Sequence, residues 1–385
     1  MRPPRRSGLA IAKDWIWQAA TLLLLILLIG WLAHNMTENL ARRGITLGFD
    51  FLGRAARFPI SESVLPYSPT DRFAWAFVVG FSNTLFLSLL VIVCSTALGF
   101  LVALARRSTN PLANGLSTTF VEASRNTPLV VQLLFWYSAV TFGLPPLAQA
   151  MQPIAGVFLT DRGLYLPAAE MSAGVTVLWV VASSGIAAIV IASIVGRRRR
   201  LATGQPNRYG LIAAITSALI FAIACAVVVP GLTIAYPVAG KFNLMGGIEL
   251  TPELVAIVLG LVLYSTAFTA EIIRGGIDAV RTGQWEAGRA LGLTERQTLK
   301  LIIVPQALRI IIPPMTSQYI NIVKNSTLAL VVGFPELNFV TATTINQTGQ
   351  AIEGIAILML AFLLVSATAS LLMNAYHRRI ALPER

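Results

Sequence analysis

Lys324 stands about midway along an apolar run, with Ser317 and Asn321 before it at the spacing i, i+4, i+7. Gln318, Asn321 and Asn325 repeat that pattern at i, i+3, i+7. On a helix these five side chains share one face, a polar stripe on an otherwise apolar element. A charge at the centre of a spanning helix costs about 2.5–3.5 kcal/mol on insertion scales, so such a group belongs against a cavity or a partner. One amine beside several amides is binding chemistry. The ammonium takes a carboxylate and the amide oxygens take an ammonium, which are the two ends of a zwitterion. A polar seam packed on another span has the same spacing, and both readings stand at this level.

Glu271 and Arg274 lie i, i+3 near the end of another apolar run, and Glu122 and Arg125 repeat the arrangement just before Pro128. They suit ion pairs that fix helix ends or reach the headgroups. The sharper alternative makes Arg125 and Glu271 an inner gate or substrate contacts. Gln132, Trp136 and Tyr137 are candidates for a wall of the same path, and Asn83, Thr84 and Ser88 are weaker ones. Catalysis has no comparable signal. The chain has no G-x-x-x-x-G-K-S/T loop for ATP, no H-E-x-x-H and no nucleophile elbow. Cys94 and Cys225 stand singly in apolar runs as small packing residues, and His34 and His377 are too isolated for a metal pair. No cofactor is expected in this chain.

A third constellation is mechanical. Gln284 to Arg309 is charged and carries a turn, between long apolar stretches. Gly283 to Leu291 reads as a short helix stopped by Gly292, because glycine takes the left-handed position after a helix at little cost. Thr294-Glu295-Arg296-Gln297 reads as a capping box that opens a second helix. Leu299, Ile302, Ile303 and Leu308 fall near one face of it, and Pro305 is expected to bend or end it. The segment predicts a compact helix-turn-helix with Glu286 near its start. An amphipathic connector lying on the membrane surface fits the periodicity equally.

The elements that must hold these residues follow from composition. The 385 residues are 56% hydrophobic and only 12% charged, with mean hydropathy +0.73, whereas a soluble domain carries about 25% charged residues. Apolar runs of about 20 residues span a bilayer as helices. Eight are visible: Trp15 to Ala33, Ala76 to Ala105, Ser117 to Gly143, Gly174 to Val195, Leu211 to Ala235, Pro252 to Ile273, Ile310 to Phe334 and Ile352 to Tyr376. The expected fold is all-α and polytopic. Arg2, Arg5 and Arg6 precede the first run, which is too long for a cleaved signal and lacks a small-x-small site before His34, so it reads as an anchor. Basic residues in short loops set orientation. With both termini cytoplasmic, Arg106-Arg107, Arg197 to Arg200, the Gln284 to Arg309 segment and Arg378-Arg379 all fall inside. Much of the net charge of +12 is therefore topological, and no nucleic-acid partner is implied.

The residues carry a resemblance. Glu286-Ala287-Gly288, then Gly292, then Ile303-Val304-Pro305 resemble the EAA loop of ABC importer permeases, departing from it at Gly288, where alanine is usual, and at Val304, where leucine is common. GFSNTLFLSLL from Gly80, EASRNTPLVVQLLFWY from Glu122, TAEIIRGGIDAVRTGQWEA from Thr269 and KNSTLALVVGFPEL from Lys324 are similar to the polar amino acid permeases of the type I class. Together these blocks cover about half of the chain. On this resemblance 76–143 and 252–385 form the permease core, while 1–75, an anchor with an outside segment read as a surface loop with short helices, and 144–251, an inserted two-helix region, resemble the larger permease subunits. The resemblance implies a bacterial inner-membrane importer of L-amino acids, broad in range, with polar and acidic ones and their amides included. It implies a homologous second permease, two ATPase subunits that bind ATP and Mg, and a periplasmic amino acid-binding protein. Glu286, Ala287, Gly292 and Pro305 would couple to the ATPase. Two alternatives remain. An ion-coupled carrier would use Glu271 and Lys324 but gives no reason for the Glu286 to Pro305 pattern. An importer restricted to glutamate, glutamine, aspartate and asparagine is the alternative within the same class.

Overall fold

The computed structural model describes residues 8–42, 48–169, 173–203, 208–229, 233–240 and 243–380; Arg2, Arg5, Arg6 and Arg43 lie outside them. In chain order the helices are α1 (Gly8–Arg42), α2 (Phe73–Arg106), α3 (Pro111–Asn126), α4 (Leu129–Gly143), α5 (Ala173–Thr203), α6 (Tyr209–Val228), α7 (Pro252–Asp278), α8 (Thr282–Ala290), α9 (Glu295–Thr298), α10 (Val304–Asn325), α11 (Leu337–Thr348) and α12 (Ala351–Ile380). Short strands flank the α5–α6 pair: β1 (Met151–Ile154), β2 (Val157–Thr160), β3 (Gly163–Leu166) and β4 (Ala168–Ala169) before it, and β5 (Ile234–Ala235), β6 (Val238–Ala239), β7 (Leu244–Met245) and β8 (Ile248–Leu250) after it. Among the described residues six helical stretches are long and apolar enough to cross a membrane, and α4 and the Val180–Gly196 part of α5 are shorter apolar helices. The expected helical, polytopic architecture is therefore present, with a small β-structure added to it.

Two expected elements differ. The run Ser117 to Gly143 is two helices, broken at Thr127-Pro128 because proline disfavours the helical conformation of the residue before it. Gln132 bridges the break, its amide donating to the carbonyls of Ser124 at 2.8 Å and Thr127 at 3.1 Å. The second difference is that Pro305 does not end a helix. It follows directly on a π-turn, at the second residue of α10, and the helical backbone runs on through it. A five-residue π-turn, Leu299–Ile303, joins α9 to α10, and a 3-10 stretch, Ser326–Val332, continues beyond it.

The chain divides into two compact units. The first holds residues 1–89, 279–330 and 335–385. Its core is aromatic: Phe51, Phe58, Phe73 and Phe77 pack with Leu337 and Val340. The segment after α1, expected as a surface loop, thus sends side chains into a core. The backbone N–H of Gly48 also bonds to buried Glu353 at 2.7 Å. By contrast, α1 is exposed along its whole apolar window.

The second unit holds residues 90–278 and 331–334. There α7 is the enclosed helix, packed on α3 and α4, and a Cβ at Gly260 would lie 2.5 Å from Leu133. The helices α5 and α6 pair with each other through small residues: Ser217 faces Gly185 and Ser193 faces Gly210. None of the described side chains of α6 is buried, as expected of helices that face lipid. The strands that flank this pair form an antiparallel sheet of order β1-β2-β3-β8, and β4 pairs with β5. Tyr165 of β3 donates to Glu249 of β8 at 2.9 Å, and burial, with that carboxylate, pushes its phenol up to about 12.

Candidate functional site

The segment from Gln284 to Arg309 folds as its residues dictate. α8 stops in a Schellman motif: Leu293 N–H bonds to Gly288 C=O at 3.0 Å and Gly292 N–H to Arg289 C=O at 2.9 Å, with Gly292 at φ +72°. Thr294 and Gln297 then make the expected capping box that opens α9. The two short helices touch through Gly288 and Thr298, both buried, and a Cβ at Gly288 would lie 2.5 Å from Thr298 Cγ2. That contact gives Gly288 a packing reason in place of the alanine of the EAA pattern. Gln306 donates to Gln284 at 3.0 Å and ties α8 to α10. Glu286, Ala287, Gly292 and Pro305 are exposed, as is the apolar tip Leu291. The apolar face expected of the second helix is split: Ile303 is buried, while Leu299 and Leu308 are exposed.

From Glu295 to Val332 the backbone is helical throughout, so this knob and the Lys324 stripe share one element. The packed face of α10 carries Ala307, Ile311, Met315, Ile322 and Val323. The open face carries Pro313, Pro314, Ser317, Asn321 and Lys324, all exposed. The stripe is therefore narrower than its spacing predicts. Gln318 is buried on the packed side and Asn325 is half-buried, because neighbours at i+1 sit 100° apart and the five residues straddle the edge of the contact. Among the described residues no carboxylate pairs with Lys324.

Sequence reasoning misplaced another group in the first unit. Asn83, Thr84 and Ser88 do not face an opening; they are buried. The Asn83 amide donates to Glu62 C=O and Pro335 C=O, both at 2.8 Å, and its oxygen accepts from Val64 N–H at 3.0 Å. Thr84 accepts from Leu337 N–H at 3.1 Å. Glu336, which the spacing did not single out, is fully buried as the N-cap of α11 and accepts from Phe339 N–H at 2.9 Å. It lies in the link between the last two spans, and burial pushes its carboxyl up to about 7. The signal was the GFPEL block itself, where a carboxylate and a helix start coincide.

In the second unit Glu271 meets Arg106, Arg274 and Arg125. The Arg274 contact is 2.5 Å and the Arg125 contact 3.9 Å. Asp278 pairs with Arg107 and, at 3.1 Å, with Arg274. The structure thus brings together the two residues named from this region, Arg125 and Glu271. It does not give the second i, i+3 pair, because Arg125 leans over Phe268 and toward Glu271, away from Glu122.

Comparison with known proteins completes the description. The family described as binding-protein-dependent transport system inner membrane component matches residues 212–382. The chain is 44% identical over 374 residues to the putative amino-acid ABC transporter permease protein YhdX of Escherichia coli, covering 97% of this chain and 95% of that one. It is 41% identical to the general L-amino acid transport system permease protein AapQ of Rhizobium johnstonii, covering 97% and 93%. It is 36% identical to the glutamate/glutamine/aspartate/asparagine transport system permease protein BztB of Rhodobacter capsulatus, covering 96% and 93%.

Proposed function

We propose that this chain, which belongs to the binding-protein-dependent transport system inner membrane components, carries L-amino acids across the inner membrane under the drive of a separate ATPase. As a member of that family it is a multi-pass ABC permease, a transport component and not an enzyme, and ATP is handled by a partner subunit. The cargo reading rests on relatives that span nearly the whole chain and whose names specify general L-amino acids or glutamate, glutamine, aspartate and asparagine. We take the range as broad, with polar and acidic amino acids and their amides included. A periplasmic binding protein delivers the substrate, a homologous second permease completes the path, and two ATPase subunits supply the stroke. Both termini lie on the cytoplasmic side, as the loop charges favour. The core is 76–143 with 252–385, and 1–75 and 144–251 are additions to it.

The observation that carries the mechanism is the unbroken helical element from Glu295 to Val332. At one end it is braced against a capped knob that presents Glu286 and Leu291; further along it presents Ser317, Asn321 and Lys324 on an open face. A displacement of the knob therefore has a continuous helical route to the polar face, through the π-turn and past Pro313 and Pro314. Lys324 serves the substrate carboxylate, and Asn321, with Gln318 and Asn325 behind it, orients the ammonium. Arg125 and Glu271 close the inner end.

Glu286→Lys tests the coupling. Charge reversal at a docking surface costs on the order of 2 kcal/mol or more, so ATP-driven uptake by the reconstituted transporter should fall at least about tenfold while the chain still inserts. Unchanged uptake would remove the lever. Uptake that survives on an ion gradient with no ATPase subunit present would remove the whole reading.

A further inference from the structure

The charge network of the second unit contains more cations than its pairing uses. Four guanidiniums, those of Arg106, Arg107, Arg125 and Arg274, surround two carboxylates, Glu271 and Asp278. The excess is two positive charges. Counting Glu122, which is exposed one turn before Arg125 on α3, still leaves an excess of one. Helix ends account for part of this, since α2 ends at Arg106 and α3 carries Arg125 in its last turn, where one cation each suits the macrodipole. Four at one place exceed that need.

Their engagement is unequal. The Arg106 side chain is 12% exposed and its guanidinium bonds to Glu271. Arg125 is 43% exposed, stands 3.9 Å from Glu271, and is propped by the Phe268 ring 5.4 Å below it. Arg107 is 34% exposed. Arg274 binds both carboxylates and has a buried Nε with no partner among the described residues. The result is a floor of paired arginines with two partly open guanidiniums at its rim.

Depth then selects the ligand. The helices α2 and α7, both long and apolar enough to cross a membrane, end at Arg106 and Asp278, and a cluster of charges at such ends belongs at the headgroups rather than in hydrocarbon. Basic pockets between helices at that depth suit phosphate headgroups, and guanidinium forks match phosphate oxygens two at a time. We propose that Arg107 and Arg125, on the floor made by Arg106 and Arg274, form a binding site for a phosphate-bearing anion, filled by the headgroup of an acidic phospholipid.

The test uses the whole transporter, purified with its partner subunits and placed in nanodiscs of phosphatidylcholine with or without phosphatidylglycerol. Retained lipid is read by native mass spectrometry and thermal midpoint by light scattering. Each surface arginine is worth about 1 kcal/mol toward anionic lipid, so Arg107→Gln with Arg125→Gln should lower phosphatidylglycerol retention by tenfold or more. Arg107→Lys with Arg125→Lys, which keeps the charge but not the fork, should recover only part of it. Arg54→Gln with Arg57→Gln, which removes the same charge at exposed positions elsewhere, should change nothing. Equal retention in all four proteins overturns the site, as does loss in the Arg54/Arg57 control alone. Inorganic phosphate is the second arm: if it raises the midpoint in pure phosphatidylcholine as much as phosphatidylglycerol does, the ligand is free phosphate and the lipid assignment falls.

Discussion

Asn83 holds two segments of the first unit against α2 with one amide. Its oxygen takes the N–H of Val64, and its nitrogen serves the carbonyls of Glu62 and Pro335. The side chain is 1% exposed, and its bond to the Pro335 carbonyl is buried, so water does not replace that bond when it is removed. Asn83→Ala removes all three bonds; the one to the Pro335 carbonyl is buried, and leaving that group unsatisfied costs about 1–3 kcal/mol. The purified protein should show a clearly lower thermal midpoint, while Ser82→Ala beside it should shift it little. Sequence alone marked Asn83 as polar within a span and set it on a path. The partners that decide its role lie about twenty residues before it and more than 250 after it, a separation no periodicity reports. Lys324 and Asn321 were readable because everything that exposes them is on their own helix. Gln318 was not, because its burial depends on what α10 packs against.

At the scale of elements, the segment from Gln284 to Arg309 was the most legible part of the chain. Its stop signal, Gly292, and its start signal, Thr294 with Gln297, act within a few residues, and both motifs form as written. What stayed hidden is the continuation. The π-turn Leu299–Ile303 carries the short helix into α10 without a break, and Pro305 follows directly on it. Gly288 is the element's own test, because it sets how closely α8 and α9 approach. Gly288→Ala gains up to about 1 kcal/mol in helix propensity, but its methyl would sit 2.5 Å from Thr298 Cγ2, and overpacking costs roughly 1–3 kcal/mol. Amide exchange over 284–300 should therefore quicken in Gly288→Ala. Adding Thr298→Ala should restore protection beyond what Thr298→Ala gives alone, as contacting residues in a double-mutant cycle do. Additive effects would mean that the two helices are held by something other than this contact.

On the scale of the molecule, apolar runs reported the spans well, since each is a local property of about twenty residues. They did not report the strands. The insertion's strands are two to four residues long, too short for an alternation to register, and β3 finds β8 only after α5 and α6 have intervened. Exposure separates two kinds of surface that composition merges. Leu360, Leu363 and Leu364 of α12 and Leu22 to Ile29 of α1 are exposed and apolar, as lipid-facing side chains are. Asn321 and Lys324 are exposed and polar within a span, where hydrocarbon would be costly for them. If the α10 face lines a hydrated path, cysteines there should meet water and cysteines on α12 should not. In a background with Cys94 and Cys225 replaced by alanine, Asn321→Cys and Lys324→Cys in the assembled transporter should react with a membrane-impermeant thiol reagent, added to open vesicles so that both faces are reached. Leu363→Cys should react at least about tenfold more slowly, since reaction needs the thiolate in water. Transported amino acid should slow the first two and leave the third unchanged. Labelling of all three at one low rate would place Asn321 and Lys324 in a dry seam and return the stripe to packing.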